Sequence, residues 1–143
     1  MLYHSPPEGF SPKFEISLCC CDYSRKILFL QRQDGKPQSG TYGMPAGKCE
    51  PGELPADTMK RELEQETGIF AVDGQLVYFM TVYVRYPGYD FVSHMFYAKF
   101  DNEPSVIINS NEHKAYRWSS PEEALKMNLI PDADETIRLF YKL

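Results

Sequence analysis

The stretch that decides how this chain folds runs from Gly47 to Ile69 and reads GKCEPGELPADTMKRELEQETGI. Glycine and proline interrupt its first part, which favours turns, whereas its second part contains good helix formers. Pro55 suits the first turn of a helix and Gly68 is a natural C-terminal stop, so the sequence predicts a helix over 55–67. A glycine-rich loop therefore leads directly into a helix.

Polar side chains gather on one face of this predicted helix. At 100° per residue, Arg61, Glu62, Gln65 and Glu66 fall within an arc of about 140°. Two carboxylates four residues apart repel each other on an ordinary helix surface, by a few tenths of a kcal/mol. Arg61 offsets part of this repulsion. Two convergent carboxylates beneath a glycine-rich loop also form an oxygen site of the type that binds Mg²⁺ or Mn²⁺.

Strands are predicted on both sides of the helix. The predicted strands are 14–21, 26–31, a short one near 42–44, 75–85, 90–100 and one that ends at Trp118. Two further helices are expected, after Ser120 and after Pro131. This order indicates an α/β fold with a mixed sheet covered by helices, in a single domain over residues 1–143.

Composition and charge exclude several classes of protein. The chain has 15 basic and 20 acidic residues and a net charge of −5, with no run of Lys and Arg, so we expect no binding to duplex nucleic acid. No stretch approaches the roughly 20 apolar residues of a membrane span, and the first residues lack a secretory signal, so we expect a cytoplasmic protein. The four cysteines, Cys19, Cys20, Cys21 and Cys49, fit neither a zinc site nor a disulfide framework, and we expect them to be packing residues.

The 47–69 stretch resembles the signature of the Nudix hydrolase family, in its MutT-like form. That signature is Gly, five residues, Glu, seven residues, then Arg-Glu-apolar-x-Glu-Glu-x-Gly-apolar. One fixed position differs, because Gln65 stands where the family has a glutamate. The segments 42–47 and 112–118 are more loosely similar to family members. The matching positions are Gly47, Glu53, Arg61, Glu62, Leu63, Glu66, Gly68 and Ile69.

The resemblance implies a Nudix-type α/β/α sandwich and a hydrolase that acts on phosphoric anhydride bonds. The implied substrate is a nucleoside diphosphate linked to another moiety, such as a (d)NTP, a dinucleoside polyphosphate or ADP-ribose, and the implied cofactor is Mg²⁺ or Mn²⁺. A cation is also expected on physical grounds, because an acidic protein that binds phosphates needs positive charge between them and its own carboxylates.

The resemblance also assigns roles to individual residues. The catalytic set is Glu53, Arg61, Glu62 and Glu66, in which Glu53 and Arg61 brace the loop and helix, together with Glu112 outside the signature. The metal set is the Ala46 carbonyl, Glu62, Gln65 and Glu66. Glu112 is a further metal ligand or the general base, or else an ordinary exposed loop glutamate.

Several alternatives stay open at this level. Gln65 weakens the metal cluster, so the chain could instead be a nucleotide-binding or regulatory module without turnover. Glu50, His94 and His113 are weaker candidates for the site, and His94 could instead be a structural histidine. Arg32 or Arg85 could meet a phosphate, and Arg85 could equally pair across its hairpin. The aromatic candidates for a nucleobase slot are Tyr83, Tyr86, Tyr89 and Phe96. The sequence does not choose between a monomer and a homodimer.

Overall fold

Eight strands and three helices build the molecule, and the computed structural model describes residues 1–143. The helix predicted from the 47–69 stretch is present with the predicted bounds, and both predicted hairpins are present. Two short strands were not predicted, Leu2–Tyr3 at the N-terminus and Ala46–Lys48 at the start of the glycine-rich loop. The elements are β1 Leu2–Tyr3, β2 Pro12–Tyr23, β3 Lys26–Arg32, β4 Tyr42–Gly43, β5 Ala46–Lys48, α1 Pro55–Thr67, β6 Val77–Tyr86, β7 Tyr89–Phe100, β8 His113–Ser119, α2 Pro121–Ala124 and α3 Ala133–Tyr141.

The sheet is mixed and is organised around β2. Its main strand order is β1-β6-β7-β2-β3-β4, with β5 added beside β2 and β8 beside β3. The β2–β7 pair is parallel and the other pairs are antiparallel. β2 pairs with β3 only at Asp22 and Tyr23, near the turn of their hairpin, and pairs with β5 through 16–18. β3 therefore separates from β2, and the glycine-rich loop enters between them.

The three consecutive cysteines show how the sheet is covered on both faces. Cys19 and Cys21 pack in a buried cluster with Met59 and Leu63 of α1, whereas Cys20 belongs to a cluster with residues of α2 and α3. Alternate residues of a strand point to opposite faces, so this pattern places α1 on one side and the other helices on the opposite side. The α/β/α sandwich is confirmed. All three cysteines are buried free thiols, as expected for packing residues.

Local signals in the sequence fix where the helices begin and end. Pro55 opens α1, and Gly68 closes it with φ 72° while its N–H donates to the Glu64 carbonyl. Only glycine adopts this left-handed conformation without strain. The side chain of Ser120 accepts a hydrogen bond from the Glu123 N–H at the start of α2. No helix in the structure combines the length and the apolar character needed to cross a membrane.

We expect Leu63→Ala to lower the free energy of unfolding by about 2–5 kcal/mol, because Leu63 is fully buried against the sheet and its truncation leaves a cavity. The matched control is Leu54→Ala, since Leu54 is 67% exposed just before the same helix and should change stability by less than about 0.5 kcal/mol. Urea unfolding followed by circular dichroism measures both. Equal effects of the two substitutions would contradict the packing described for α1.

Candidate active site

Arg61 joins α1 to the glycine-rich loop that precedes it. Its Nε and Nη2 each donate to the Glu53 carboxylate at 2.9 Å, and Nη2 also donates to the Lys48 carbonyl at 3.1 Å. The third nitrogen, Nη1, donates to Glu62 Oε1 at 2.6 Å. A guanidinium is a planar fork of donors, so one side chain holds both the loop and the helix in a fixed relation.

Glu53 is held in the ionised form by its neighbours. Thr58 Oγ1 donates to Glu53 Oε1 at 2.6 Å and the Glu50 N–H donates to the same oxygen at 3.1 Å. These hydrogen bonds, after the larger effect of Arg61, lower the pKa of Glu53 to about 2. The carboxylate therefore remains a charged anchor for Arg61 across the whole neutral pH range. The Glu50 side chain itself is exposed.

Gly47 and Glu62 approach each other so closely that no side chain fits at position 47. A Cβ atom there would overlap the carboxyl group and the Cγ atom of Glu62. The absence of a Cβ lets β5 pass directly over the carboxyl group. Burial is the main cause that raises the pKa of Glu62, and the hydrogen bond from Arg61 opposes it.

Glu66 is the most buried acidic side chain of the site, with only 6% of the residue exposed. The Ala46 N–H donates to its Oε1 at 3.0 Å. Burial, followed by the charge of Glu62, raises the pKa of Glu66 to about 8, and the Ala46 N–H only partly opposes this. A positive charge placed beside the carboxylate would lower its pKa again, because it favours the ionised form.

The start of β8 brings two more ionisable groups to Glu66. One ligand atom each of Glu66, Glu112 and His113 lie within 4.8 Å of one another. His113 is buried, and its Nδ1 has no hydrogen-bond partner. Burial, and secondarily the charge of Arg32, lower the pKa of His113, so its imidazole is neutral at neutral pH. Glu112 is partly exposed.

Gln65 occupies a different position from its neighbours on α1. It is exposed, and its amide oxygen lies 3.5 Å from Arg61 Nη1. Glu62 and Glu66 face the β5 segment, whereas the structure shows Gln65 against the guanidinium.

A cavity of about 140 Å³ extends from Glu66 into the molecule. Besides Glu66, the groups of the candidate site that line it are Ala46, Arg32 and His113. Its walls are mostly apolar, and three polar residues, Ser93, Asp132 and Thr136, also line it. The apolar lining residues from the strands include Leu2, Ile16, Leu18, Leu30, Val82, Val84 and Phe91.

Only one of the four aromatic candidates from the sequence lines this cavity. Tyr86 does so, and its hydroxyl donates to the Pro131 carbonyl at 3.1 Å. Tyr83 packs edge-on against Phe10, with ring centroids 5.5 Å apart. The other two lie elsewhere, Tyr89 against the rings of Phe14 and Phe91 and Phe96 in the α1-side cluster.

Of the remaining charged candidates, some line the cavity and others form contacts elsewhere. Arg32 lines the cavity, and its Nε donates to the Pro37 carbonyl at 3.2 Å. Arg85 instead forms a two-pronged ion pair with Asp90, at 2.8 and 3.1 Å. Both ring nitrogens of His94 are occupied, by Thr81 and by Glu15. The Arg85–Asp90 pair crosses the β6–β7 hairpin, which is the alternative that the sequence left open for Arg85. The place of Arg32 depends on how β3 pairs with β8, which is distant in sequence.

The residues around Glu66 fit a divalent cation. Carboxylate and carbonyl oxygens are the donors that Mg²⁺ and Mn²⁺ prefer, and Glu66 and Glu112, which cluster with His113, supply carboxylates close together. Glu62 lies outside this group of three, but its charge acts on Glu66. Two further observations agree with a divalent cation, the raised pKa of Glu66 and the unpartnered Nδ1 of His113.

Comparison with known proteins gives this geometry its context. The family model for the NUDIX domain matches residues 13–140. The chain belongs to the Nudix family. The CTP pyrophosphohydrolase of Escherichia coli (strain K12) is 30% identical over 119 residues, which cover 82% of this chain and 83% of that protein. The mouse bis(5'-nucleosyl)-tetraphosphatase is 29% identical over 115 residues, or 79% of this chain and 76% of that protein.

A solved structure agrees with the fold. The NUDIX domain of Shewanella oneidensis NrtR, complexed with ADP ribose, has a TM-score of 0.78 at 20% identity and covers 96% of this chain and 92% of that chain. At this identity the likeness concerns the fold alone. The named pyrophosphohydrolases among the relatives identify the present Nudix protein as a hydrolase that acts on phosphoric anhydride bonds.

The raised pKa of Glu66 predicts how stability changes with pH in EDTA. The folded protein keeps a proton on Glu66 up to about pH 8, whereas the unfolded chain loses it near its ordinary value. The free energy of unfolding should therefore fall as pH rises through this window, by at most about 1.4 kcal/mol per pH unit. Glu66→Gln removes this titration. The free energy of unfolding of the native protein minus that of the variant should therefore decrease from pH 5 to pH 8.

Urea unfolding at several pH values measures this difference. Glu64→Gln is the matched control, because Glu64 is exposed on the same helix, and its difference from the native protein should not vary with pH. A difference for Glu66→Gln that is equally flat would contradict the raised pKa.

Proposed function

We propose that this Nudix hydrolase cleaves the phosphoric anhydride bond of a nucleoside diphosphate derivative. The observation that carries the proposal is the cavity itself, which joins an apolar slot to the buried carboxylate of Glu66. Such a shape suits a ligand with an apolar, planar part and an anionic part. In the proposed orientation the nucleobase enters the slot and the phosphates lie at the Glu66 end.

We assign a divalent cation, Mg²⁺ or Mn²⁺, to the Glu66 end of the cavity. The residues that would hold it are Glu62, Glu66 and the Ala46 carbonyl, as the family resemblance implies, with Gln65 as the fourth implied position. When bound, the cation supplies neutralisation of the phosphate charge and a lower pKa for the attacking water. The net charge of −5 supports this assignment, because an acidic protein needs positive charge between its own carboxylates and the phosphates.

The remaining roles belong to side chains around the carboxylates. Arg61 and Glu53 hold the loop in place and act as positioning residues. Arg32 lines the cavity and is suited to donate to a phosphate oxygen, since only its Nε is engaged with a carbonyl. Glu112 is partly exposed beside Glu66 and is suited either to bind the cation or to accept the proton of the attacking water as general base.

The size of the cavity supports a nucleobase as its occupant. Pockets that enclose a whole drug-sized ligand usually measure about 300–1,000 Å³, so a cavity of about 140 Å³ has room for a ring system and leaves the sugar and phosphates outside. Tyr86 and Phe91 provide aromatic surface, and Ser93 and Asp132 provide polar groups that could bind the edge of a base. Because one relative is a CTP pyrophosphohydrolase, nucleoside triphosphates are the first substrates to test.

We expect turnover of the best substrate to require Mg²⁺ or Mn²⁺ and to be lost in EDTA. Phosphate and nucleotide products should be measured on a panel of (d)NTPs, dinucleoside tetraphosphates and ADP-ribose. Glu66→Gln should lower kcat by roughly 100-fold or more, because it removes a buried carboxylate from the proposed metal site. The matched control Glu64→Gln should leave kcat unchanged, since Glu64 is exposed on the same helix.

Two results would contradict this proposal. Undiminished turnover in EDTA would exclude the metal dependence. Binding of a nucleotide without any product on the panel would instead favour the module without turnover that Gln65 leaves open. Circular dichroism of Glu66→Gln separates a chemical role from loss of the fold.

Gln65→Glu restores the carboxylate that the family signature has at this position. Without metal it adds a like charge near Glu62 and Glu66, so we expect a slight loss of stability. With metal we expect the opposite, because tighter binding stabilises the folded state by RT ln(1 + [L]/Kd). The Mg²⁺-induced rise in Tm should therefore be larger in the variant, and half-maximal turnover should need less Mg²⁺. An unchanged metal response in both measurements would show that position 65 lies outside the coordination sphere.

A further inference from the structure

His113 has an unsatisfied polar atom in the interior of the protein. Only 5% of the residue is exposed, and Nδ1 has no hydrogen-bond partner. Nearly all buried polar side-chain atoms in native proteins have a partner, because an unpaired one loses its hydration without replacement. The position of His113 in the cavity wall therefore indicates a group that this nitrogen binds.

The backbone of β8 fixes the place of this ring. The His113 N–H donates to the Asn109 carbonyl at 2.9 Å, and His113 pairs with Arg32 across the sheet. The register shifts between Gln31 and Arg32, so that Lys114 is an extra residue on β8. Such a bulge changes the direction in which side chains point, and bulges of this kind are frequent beside active sites.

Two carboxylates lie near His113, and neither forms a hydrogen bond with its imidazole. Ligand atoms of His113, Glu66 and Glu112 lie within 4.8 Å of one another. The only side-chain hydrogen bond of these three residues is the one that Glu66 accepts from the Ala46 N–H. Two carboxylates and an imidazole that converge without contact are typical of groups that share a cation.

We infer that His113 is a nitrogen ligand, together with Glu66 and Glu112, to the divalent cation of this site. The inference deepens the proposed function and rests on it, because the ion concerned is the one proposed for hydrolysis. Gln65 lies exposed beside Arg61 on α1, so the additional donor comes from β8 rather than from the helix.

This ligand set determines which ions bind best. Mg²⁺ strongly prefers oxygen donors, whereas an imidazole nitrogen adds affinity for Co²⁺, Ni²⁺ and Zn²⁺ and, to a lesser degree, Mn²⁺. The site should therefore favour first-row transition ions over Mg²⁺ more strongly than a site built from oxygens alone. His113 is the residue that sets this selectivity.

Pulsed EPR of Mn²⁺ bound to the full chain, without nucleotide, tests the inference directly. We expect the native protein to show hyperfine coupling from a histidine nitrogen, and His113→Gln to lose it. His94→Gln is the matched control and should keep the coupling, because Thr81 and Glu15 occupy both nitrogens of His94 outside the cavity.

Two additional measurements complete the test, the first on the native protein and the second with Mg²⁺ binding as the check that the variant folds. When the native protein is labelled with ¹⁵N-histidine, the ¹⁴N hyperfine coupling of bound Mn²⁺ should be replaced by a ¹⁵N coupling. Calorimetric titrations should show that His113→Gln weakens Co²⁺ binding by about tenfold or more, whereas Mg²⁺ binding changes by less than about threefold.

The inference is overturned if Mn²⁺ binds without histidine coupling, if the coupling survives in His113→Gln, or if the native protein binds no Mn²⁺. Turnover of the nucleotide panel with Mg²⁺, measured on the same preparation, separates this from the proposed function. Turnover without nitrogen coupling supports the proposed hydrolysis and excludes His113 as a ligand. Coupling without turnover supports the ligand and contradicts the proposed reaction.

Discussion

The ion pair between Arg61 and Glu53 is the interaction on which the site depends. Arg61 extends from α1 and uses its guanidinium to hold Glu53 and the Lys48 carbonyl on the loop and Glu62 on the helix. Glu53 and Arg61 are only eight residues apart in the sequence, so their ion pair holds a short loop against the helix. The pair acts together with the pairing of β5 to β2, and Ala46 lies close enough to α1 for its N–H to reach Glu66.

Burial and charge oppose each other at Glu66, and this opposition explains why a cation belongs there. Removing a carboxylate from water disfavours its charged form, and Glu62 adds a like charge. Arg61 does not relieve this, because its donors are engaged by Glu53, Glu62 and Lys48. Arg32, at the end of β3, is the positive group that favours ionised Glu66, and it lines the same cavity. The site therefore favours positive charge from a bound ion.

Local sequence signals predicted the elements that depend on neighbouring residues. The bounds of α1 follow from Pro55 and Gly68. The bracing role of Glu53 and Arg61 was implied by the family resemblance, and the two side chains form an ion pair in the structure. The hairpins β2–β3 and β6–β7 were predicted from strand patterns separated by turns. The two-residue strand β1 was missed, because its pairing with β6 involves residues more than eighty positions away.

The sequence by itself therefore determined the loop and helix of the 47–69 stretch, the family, and the clustering of Glu62 and Glu66 on one helix face. Only the tertiary structure decided which side chains from distant strands meet this face. Arg32, Tyr86 and His113 line the cavity, whereas Arg85 and His94 form hydrogen bonds with carboxylates elsewhere. The physical reason is that the spacing of residues in a helix is fixed by local geometry, while contacts between strands depend on register and on the bulge in β8.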